Sequence, residues 1–181
     1  MHRRPLLDLI DRYSEKYPEE AETVSRFREF ISRRADCFER ELKEGHITGS
    51  AWIVDRCGER VLLTHHRKLN IWVQLGGHAD GEADIASVAL KEAYEESGLD
   101  SLKTEPEIFD LDIHPIPARK SDPEHLHYDV RFVIRNEGVS DFIVSEESHD
   151  LAWIDLEDIE TLTTEESILR MRRKWTNSGN A

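Results

Sequence analysis

The chain has 181 residues, 38% hydrophobic and 34% charged, enough for one well-filled core but without an apolar run long enough to cross a membrane. Its 38 acidic residues against 24 basic ones give a formal charge of -14, which repels polyanions at long range and excludes nucleic acid as an expected partner. The two cysteines, Cys37 and Cys57, stand far apart without metal-type spacing and read as unpaired thiols.

Met1-His2-Arg3-Arg4-Pro5 leads into an amphipathic segment containing Asp8 and Asp11, not into the apolar core of a signal sequence, so the expected location is the cytoplasm. Pro18 with Glu19 and Glu20 suits a helix first turn, and Phe27, Ile31, Phe38 and Leu42 recur near helical spacing up to Gly45. Residues 1–45 are expected to form a helical extension to the domain at 46–181. Covering that domain and forming a homodimer both fit such an extension.

From His46 the texture changes to short strands. Strands at 47–55 and 60–65 flank a turn at Cys57-Gly58-Glu59, and a loop then runs through Trp72 and Leu75 into a glycine-rich turn. Further strands are expected at 108–114, 126–135 and 151–154, and strands around one central helix indicate an α+β fold, a mixed α/β sandwich. Arg131 alternates with Asp129 on its strand face and is placed to pair with it. Near the end, Thr163-Thr164-Glu165-Glu166 reads as a capping box. It would open a last, structural helix through Met171 and Trp175, with Arg170, Arg172, Arg173 and Lys174 favouring its C-terminal end.

The central helix carries the chemistry. Gly76-Gly77-His78-Ala79-Asp80-Gly81-Glu82-Ala83-Asp84 precedes it, and Lys91-Glu92-Ala93-Tyr94-Glu95-Glu96-Ser97-Gly98-Leu99 ends it. Asp84 suits an N-cap, and Ile85, Val88 and Ala89 mark a buried stripe that three- and four-residue steps extend to Glu92 and Glu96. Ser87, Lys91 and Tyr94 fall on the solvated side, and Gly98 suits a left-handed C-terminal cap. Glu92, Glu95 and Glu96 are neighbours on such a helix and repel one another unless cations sit between them. A solvated acidic face is the commoner use of clustered glutamates. The inward stripe instead favours a site for a hard divalent ion, Mg²⁺ or Mn²⁺, held by carboxylate oxygens.

These residues resemble the signature of the Nudix hydrolases: a Gly, five residues, a Glu, seven residues, then Arg-Glu-apolar-any-Glu-Glu-any-Gly-apolar. Gly77, Glu92, Ala93, Glu95, Glu96, Gly98 and Leu99 match in register, while Ala83 replaces the family's Glu and Lys91 its Arg. In the family that pair ties the loop to the helix. Losing both partners together strands no buried charge, and Glu82 and Asp84 are the acids placed to meet Lys91 instead.

The resemblance implies an α/β/α sandwich with a mixed sheet over residues 46–181. It implies a metal-dependent hydrolase of the diphosphate linkage in a nucleoside diphosphate joined to another moiety. Glu92, Glu95 and Glu96 would bind the metal, with the backbone carbonyl of Gly76 or Gly77 completing the shell. The general base would be a helix glutamate or a later loop acid, for which Glu146 and Glu147 are the candidates. A diphosphate would feel the chain's repulsion and need local cations as well as metal; Arg119 after a proline-rich turn, and His65 and Arg67 before the glycines, are the candidates.

His46 opens the first domain strand, His78 follows the glycine pair, and His127 and Asp129, two apart, share one strand face. Singly, each reads as an ordinary hydrogen-bonding histidine. Together they resemble isopentenyl diphosphate isomerase, which shares the Nudix fold and holds a divalent metal with histidines and acids. That resemblance implies an additional divalent metal at His46, His78, His127 and Asp129. The isomerase's catalytic cysteine would fall at Gly76, which has no group to move a proton, so isomerase activity is disfavoured. The alternative from another class is a non-catalytic sensor of a nucleotide derivative. The acid trio weighs against it, because a sensor needs no three crowded carboxylates.

Overall fold

The computed structural model describes residues 2–66, 70–118, 123–139, 141–143 and 148–179. In chain order the elements are α1 (Arg4–Lys16), α2 (Ala21–Arg33), β1 (Gly45–Val54), β2 (Arg60–His66), β3 (Ile71–Val73), β4 (Leu75–His78), α3 (Ile85–Ser97), β5 (Leu102–Ile116), β6 (His125–Asn136), β7 (Ser148–Asp155), α4 (Ile159–Leu162) and α5 (Glu166–Asn177). A short 3₁₀ turn at Pro18–Glu20 joins the first two helices.

Strand β1 is the axis of the fold, buried along its whole length. One edge pairs in parallel with β6 from Gly45 to Val54. The other edge is shared: Thr48–Ala51 pair with β4, while Ile53 and Val54 pair with β2. The sheet runs β3-β2-β1-β6-β5, with β4 attached to β1 and β7 to β2.

Alternation along β1 assigns its two faces. Ile47, Ala51 and Ile53 join one core with Leu6, Ile10, Phe27, Phe30, Ile31, Ile85 and Val88 from α1, α2 and α3. Trp52 and Val54 join a second core with Ile159, Ile168, Met171 and Trp175 from α4 and α5. The result is the expected α/β/α sandwich. Gly49 lets α3 approach closely, since a Cβ there would lie 3.0 Å from Ile85 and 3.1 Å from Val88. Helix α2 covers β6, where the Phe30 ring stacks on Tyr128 at 4.0 Å and Phe27 meets it edge-on at 5.4 Å. Burying side chains of this size contributes about 2–3 kcal/mol each.

Several local expectations change. Helix α2 stops at Arg33, and Phe38 and Leu42 lie in turns, buried there because the segment packs back on the sheet. Its backbone is held by the bond from Ile47 N–H to the Cys37 carbonyl at 2.8 Å. The stretch through Trp72 and Leu75 is not a loop but β3 and β4, and Gly76 and Gly77 are extended within β4. The turn comes later, at Asp80 (φ 49°) and Gly81 (φ 86°). No capping box forms before α5: Glu165 is the N-cap without a side-chain bond, and the Thr163 hydroxyl instead accepts from the Glu165 N–H at 3.2 Å. Both cysteines are free and Cys37 is buried. Among the described residues, no helix is long and apolar enough to cross a membrane.

Candidate functional site

Helix α3 is fixed at both ends as its sequence suggests. Asp84 accepts from the Ser87 N–H at 3.2 Å and the Ser87 hydroxyl at 2.8 Å, and Gly98 closes the helix in the left-handed region at φ 67°. Ile85, Val88, Ala89, Ala93 and Ser97 are buried, whereas Ser87, Lys91 and Tyr94 are exposed. Glu92 and Glu96 flank the buried stripe and face strand β4. The Gly76 N–H donates to Glu96 Oε1 at 3.0 Å. A Cβ on Gly77 would lie 2.5–2.8 Å from the Glu92 carboxyl group, so only glycine leaves that carboxylate its place. Gly76 points to the other face, where a Cβ would collide with Ser50 Oγ and lie 2.8 Å from the Gly49 carbonyl. That position has no room for the isomerase's cysteine.

Glu95 is placed differently from the other two. Its side chain is 58% exposed, against 18% for Glu92, and lies 3.6 Å from Lys91 Nζ. Lys91 is therefore not met by Glu82 or Asp84: Asp84 caps the helix, and Glu82 accepts from the Asp84 N–H at 2.9 Å. The loop is anchored from another quarter. Arg40 pairs bidentately with Asp80, which holds the Asp80 carboxyl below its ordinary range, and the Gly81 N–H donates to the Phe38 carbonyl at 3.0 Å. The segment between α2 and β1 thus takes over the tie that the absent Glu–Arg pair would make, a role its composition did not announce.

The opposite face of the sheet carries a polar stripe. Asp129 is buried and saturated: Oδ1 accepts from the Thr48 and Ser50 hydroxyls at 2.8 Å each, and Oδ2 from Arg131 Nε at 2.7 Å and Gln74 Nε2 at 3.2 Å. With its lone pairs so occupied it does not join the histidines as a ligand. Arg131 pairs with it as expected, and also with Asp110 at 3.1 Å and Asp112 at 3.3 Å. Arg170 and Lys174 of α5 reach the same acids, so these cations serve a buried ionic network instead of the helix dipole. Burial alone would raise the Asp110 carboxyl, but the Arg170 hydrogen bond and the charges of Arg131 and Lys174 outweigh it and hold it below its ordinary value.

At the end of this stripe the register gathers histidines. His46 is opposite His127, His127 is opposite His114, and His78 is opposite Thr48. Ring centroids lie 4.8 Å apart for His46 and His127, 5.0 Å for His46 with His78 or His125, and 5.2 Å for His78 and His127. His114 stands 5.5 Å from His127. Burial, then the charges of His78 and His125, push His46 down to about 4; burial and the surrounding imidazoles push His127 down to about 2. Sequence reasoning missed His114 and His125 as members, although the His125-Leu126-His127 alternation already placed two imidazoles on one face.

Of the proposed phosphate contacts, His65 lies on β2 with its ring stacked on Trp72 at 5.2 Å. Arg67, Arg119, Glu146 and Glu147 lie outside the described residues.

A glycine-backed strand is apposed to a carboxylate-bearing helix within an α/β/α sandwich with a mixed sheet. The NUDIX domain model matches residues 46–174. The chain therefore belongs to the NUDIX family and is an enzyme of the Nudix hydrolase superfamily. Among solved structures it is similar to a C. elegans Ap4A hydrolase in a binary complex, with TM-score 0.59 and 18% identity over 72% of this chain and 95% of that one. It is also similar to a MutT protein from Methanosarcina mazei Go1, with TM-score 0.57 and 18% identity over 77% and 99%. The E. coli dihydroneopterin triphosphate pyrophosphohydrolase shows TM-score 0.55 and 15% identity over 72% and 95%. A comparison with curated proteins finds no significant match.

Proposed function

We propose that this enzyme hydrolyses the diphosphate linkage of a nucleoside diphosphate joined to another moiety, using a Mg²⁺ or Mn²⁺ ion held at helix α3. The observation that carries this reading is the fit of Gly77 to the Glu92 carboxyl group, where a Cβ would lie 2.5–2.8 Å from the carboxyl atoms. Hard oxygen donors against bare backbone are the donor set such ions prefer. Glu92 and Glu96 would hold the ion, with the Gly76 or Gly77 carbonyl and Glu95 as further oxygen donors. Bound there, it would neutralise diphosphate oxygens and lower the pKa of a bound water. The Gly76 N–H bond fixes the orientation of Glu96. Glu95, more exposed and 3.6 Å from Lys91, would take a proton from an approaching water, the task also open to Glu146 or Glu147.

Two of the neighbours named above are named for phosphoanhydride substrates, Ap4A and dihydroneopterin triphosphate. The test is phosphate or nucleotide release from dinucleoside polyphosphates, nucleoside diphosphate sugars and nucleoside triphosphates, with Mg²⁺ or Mn²⁺. Turnover of at least one class, lost in Glu96→Gln, supports the reading. Binding without turnover across the panel would replace it with the sensor.

A further inference from the structure

We propose that His46, His125 and His127, with His78 beside them, form a binding site for a borderline divalent transition metal of the Zn²⁺ class, separate from the carboxylate site on α3. One ligand-capable atom from each of His46, His125 and His127 lies within 4.8 Å of the others. Tetrahedral coordination with metal–nitrogen bonds of about 2.0–2.1 Å needs nitrogens about 3.4 Å apart, so the rings would draw inward on binding.

Three observations separate this cluster from ordinary packing. Nε2 of His127 is buried without a hydrogen-bond partner, and the His46 ring, only 3% exposed, has the Leu42 backbone beside it but no partner in good hydrogen-bond geometry at either nitrogen. Buried polar atoms left in this way cost about 1–3 kcal/mol each, so a cation that accepts one lone pair from each ring removes part of a standing penalty. The neighbouring rings are oriented as ligands are. His125 Nδ1 is 2.9 Å from the Pro123 carbonyl, which can only accept, so Nδ1 carries the proton and Nε2 presents its lone pair. His114 Nδ1 is likewise 2.9 Å from Asp112 Oδ2, and Asp112 is held by Arg131 and Arg170, which ties the cluster to the ionic network.

The donor set also selects the ion. With Asp129 committed to four hydrogen bonds, the cluster is built from imidazoles, which suit Zn²⁺, Co²⁺ or Ni²⁺ and not Mg²⁺. Strand β4 keeps the two sites apart, because Gly77 faces Glu92 and the next residue, His78, faces the histidines across the sheet.

The experiment uses full-length protein without an affinity tag, stripped of metal and titrated with Co²⁺ and Zn²⁺. One equivalent of Co²⁺ should produce the visible absorption of nitrogen-rich tetrahedral or five-coordinate cobalt, and one equivalent of Zn²⁺ should bleach it and survive dialysis. His46→Asn and the more exposed His125→Asn should each weaken Zn²⁺ by about 100-fold or more. A Glu92→Gln, Glu96→Gln double variant should bind Zn²⁺ as wild type does, whatever becomes of its hydrolase activity. Absence of the cobalt band in the wild-type protein, or its loss in the glutamate variant with retention in the histidine variants, overturns the proposal. Near-ultraviolet circular dichroism identifies any variant that fails to fold, and the wild-type titration decides the matter without it.

Discussion

The Gly76 N–H donates to Glu96 Oε1 at 3.0 Å, so the backbone of β4 is hydrogen-bonded to the acidic face of α3. The bond joins structure to chemistry: it orients an acid proposed to hold the metal and uses only one of that acid's oxygens.

Glu96→Gln separates those two roles. Glutamine keeps an oxygen that accepts from Gly76, so the melting temperature should stay within about 4 °C of wild type. Loss of the charge should lower turnover by about 100-fold or more. Near-normal activity in steady-state assays would refute the assignment.

The two glycines should behave differently when replaced by alanine. In Gly77→Ala the new methyl meets the end of a flexible glutamate, so the chain should fold while the metal concentration for half-maximal activity rises about 10-fold or more. In Gly76→Ala the methyl meets the backbone of β1, and overpacking there should cost about 1–3 kcal/mol in denaturant unfolding.

Arg40→Ala tests the anchoring of the loop. Both partners of the Arg40–Asp80 pair are half exposed, so global stability should fall by less than about 1 kcal/mol. Amide exchange at Asp80, Gly81 and Glu82 should nonetheless quicken several-fold. Unchanged exchange there would show that the Phe38 carbonyl alone holds the turn.

Acid should release the stability stored in the buried ionic network. Asp110 is held below its ordinary value in the folded chain, so the native state binds fewer protons than the unfolded chain near and below pH 4. Its contribution is complete above that point and is lost as pH falls through the depressed native value. Asp110→Asn should lose about 3–5 kcal/mol at pH 7, because Arg131, Arg170 and Lys174 keep their charges. Its stability should also fall less steeply between pH 5 and 2. A parallel pH profile for the two proteins would sink this account.

Much of helix α3 was legible because its signals are local. An aspartate cap, a stripe at three- and four-residue steps and a closing glycine act within a few residues, and each has its expected place. The glycine pair was misread as a turn because glycine signals freedom without saying what approaches it. Here Ser50 and the Gly49 carbonyl crowd one glycine and Glu92 the other, and all of them are far away in sequence. Glu95 illustrates the limit of periodicity: the spacing that made it a neighbour of Glu92 also carried it round to Lys91 and solvent.

By itself the sequence determined the acidic helix, the sandwich class and the family resemblance, since caps, hydrophobic period and motif register are properties of neighbouring residues. Only the tertiary structure decided which polar groups meet. Strand register brought His46, His78, His114, His125 and His127 together, and the same register saturated Asp129 with donors from β1, β6 and Gln74. It also lent the loop Arg40 in place of the family's ion pair. Pairing across the sheet depends on how distant segments align, and no local signal along the chain carries that alignment.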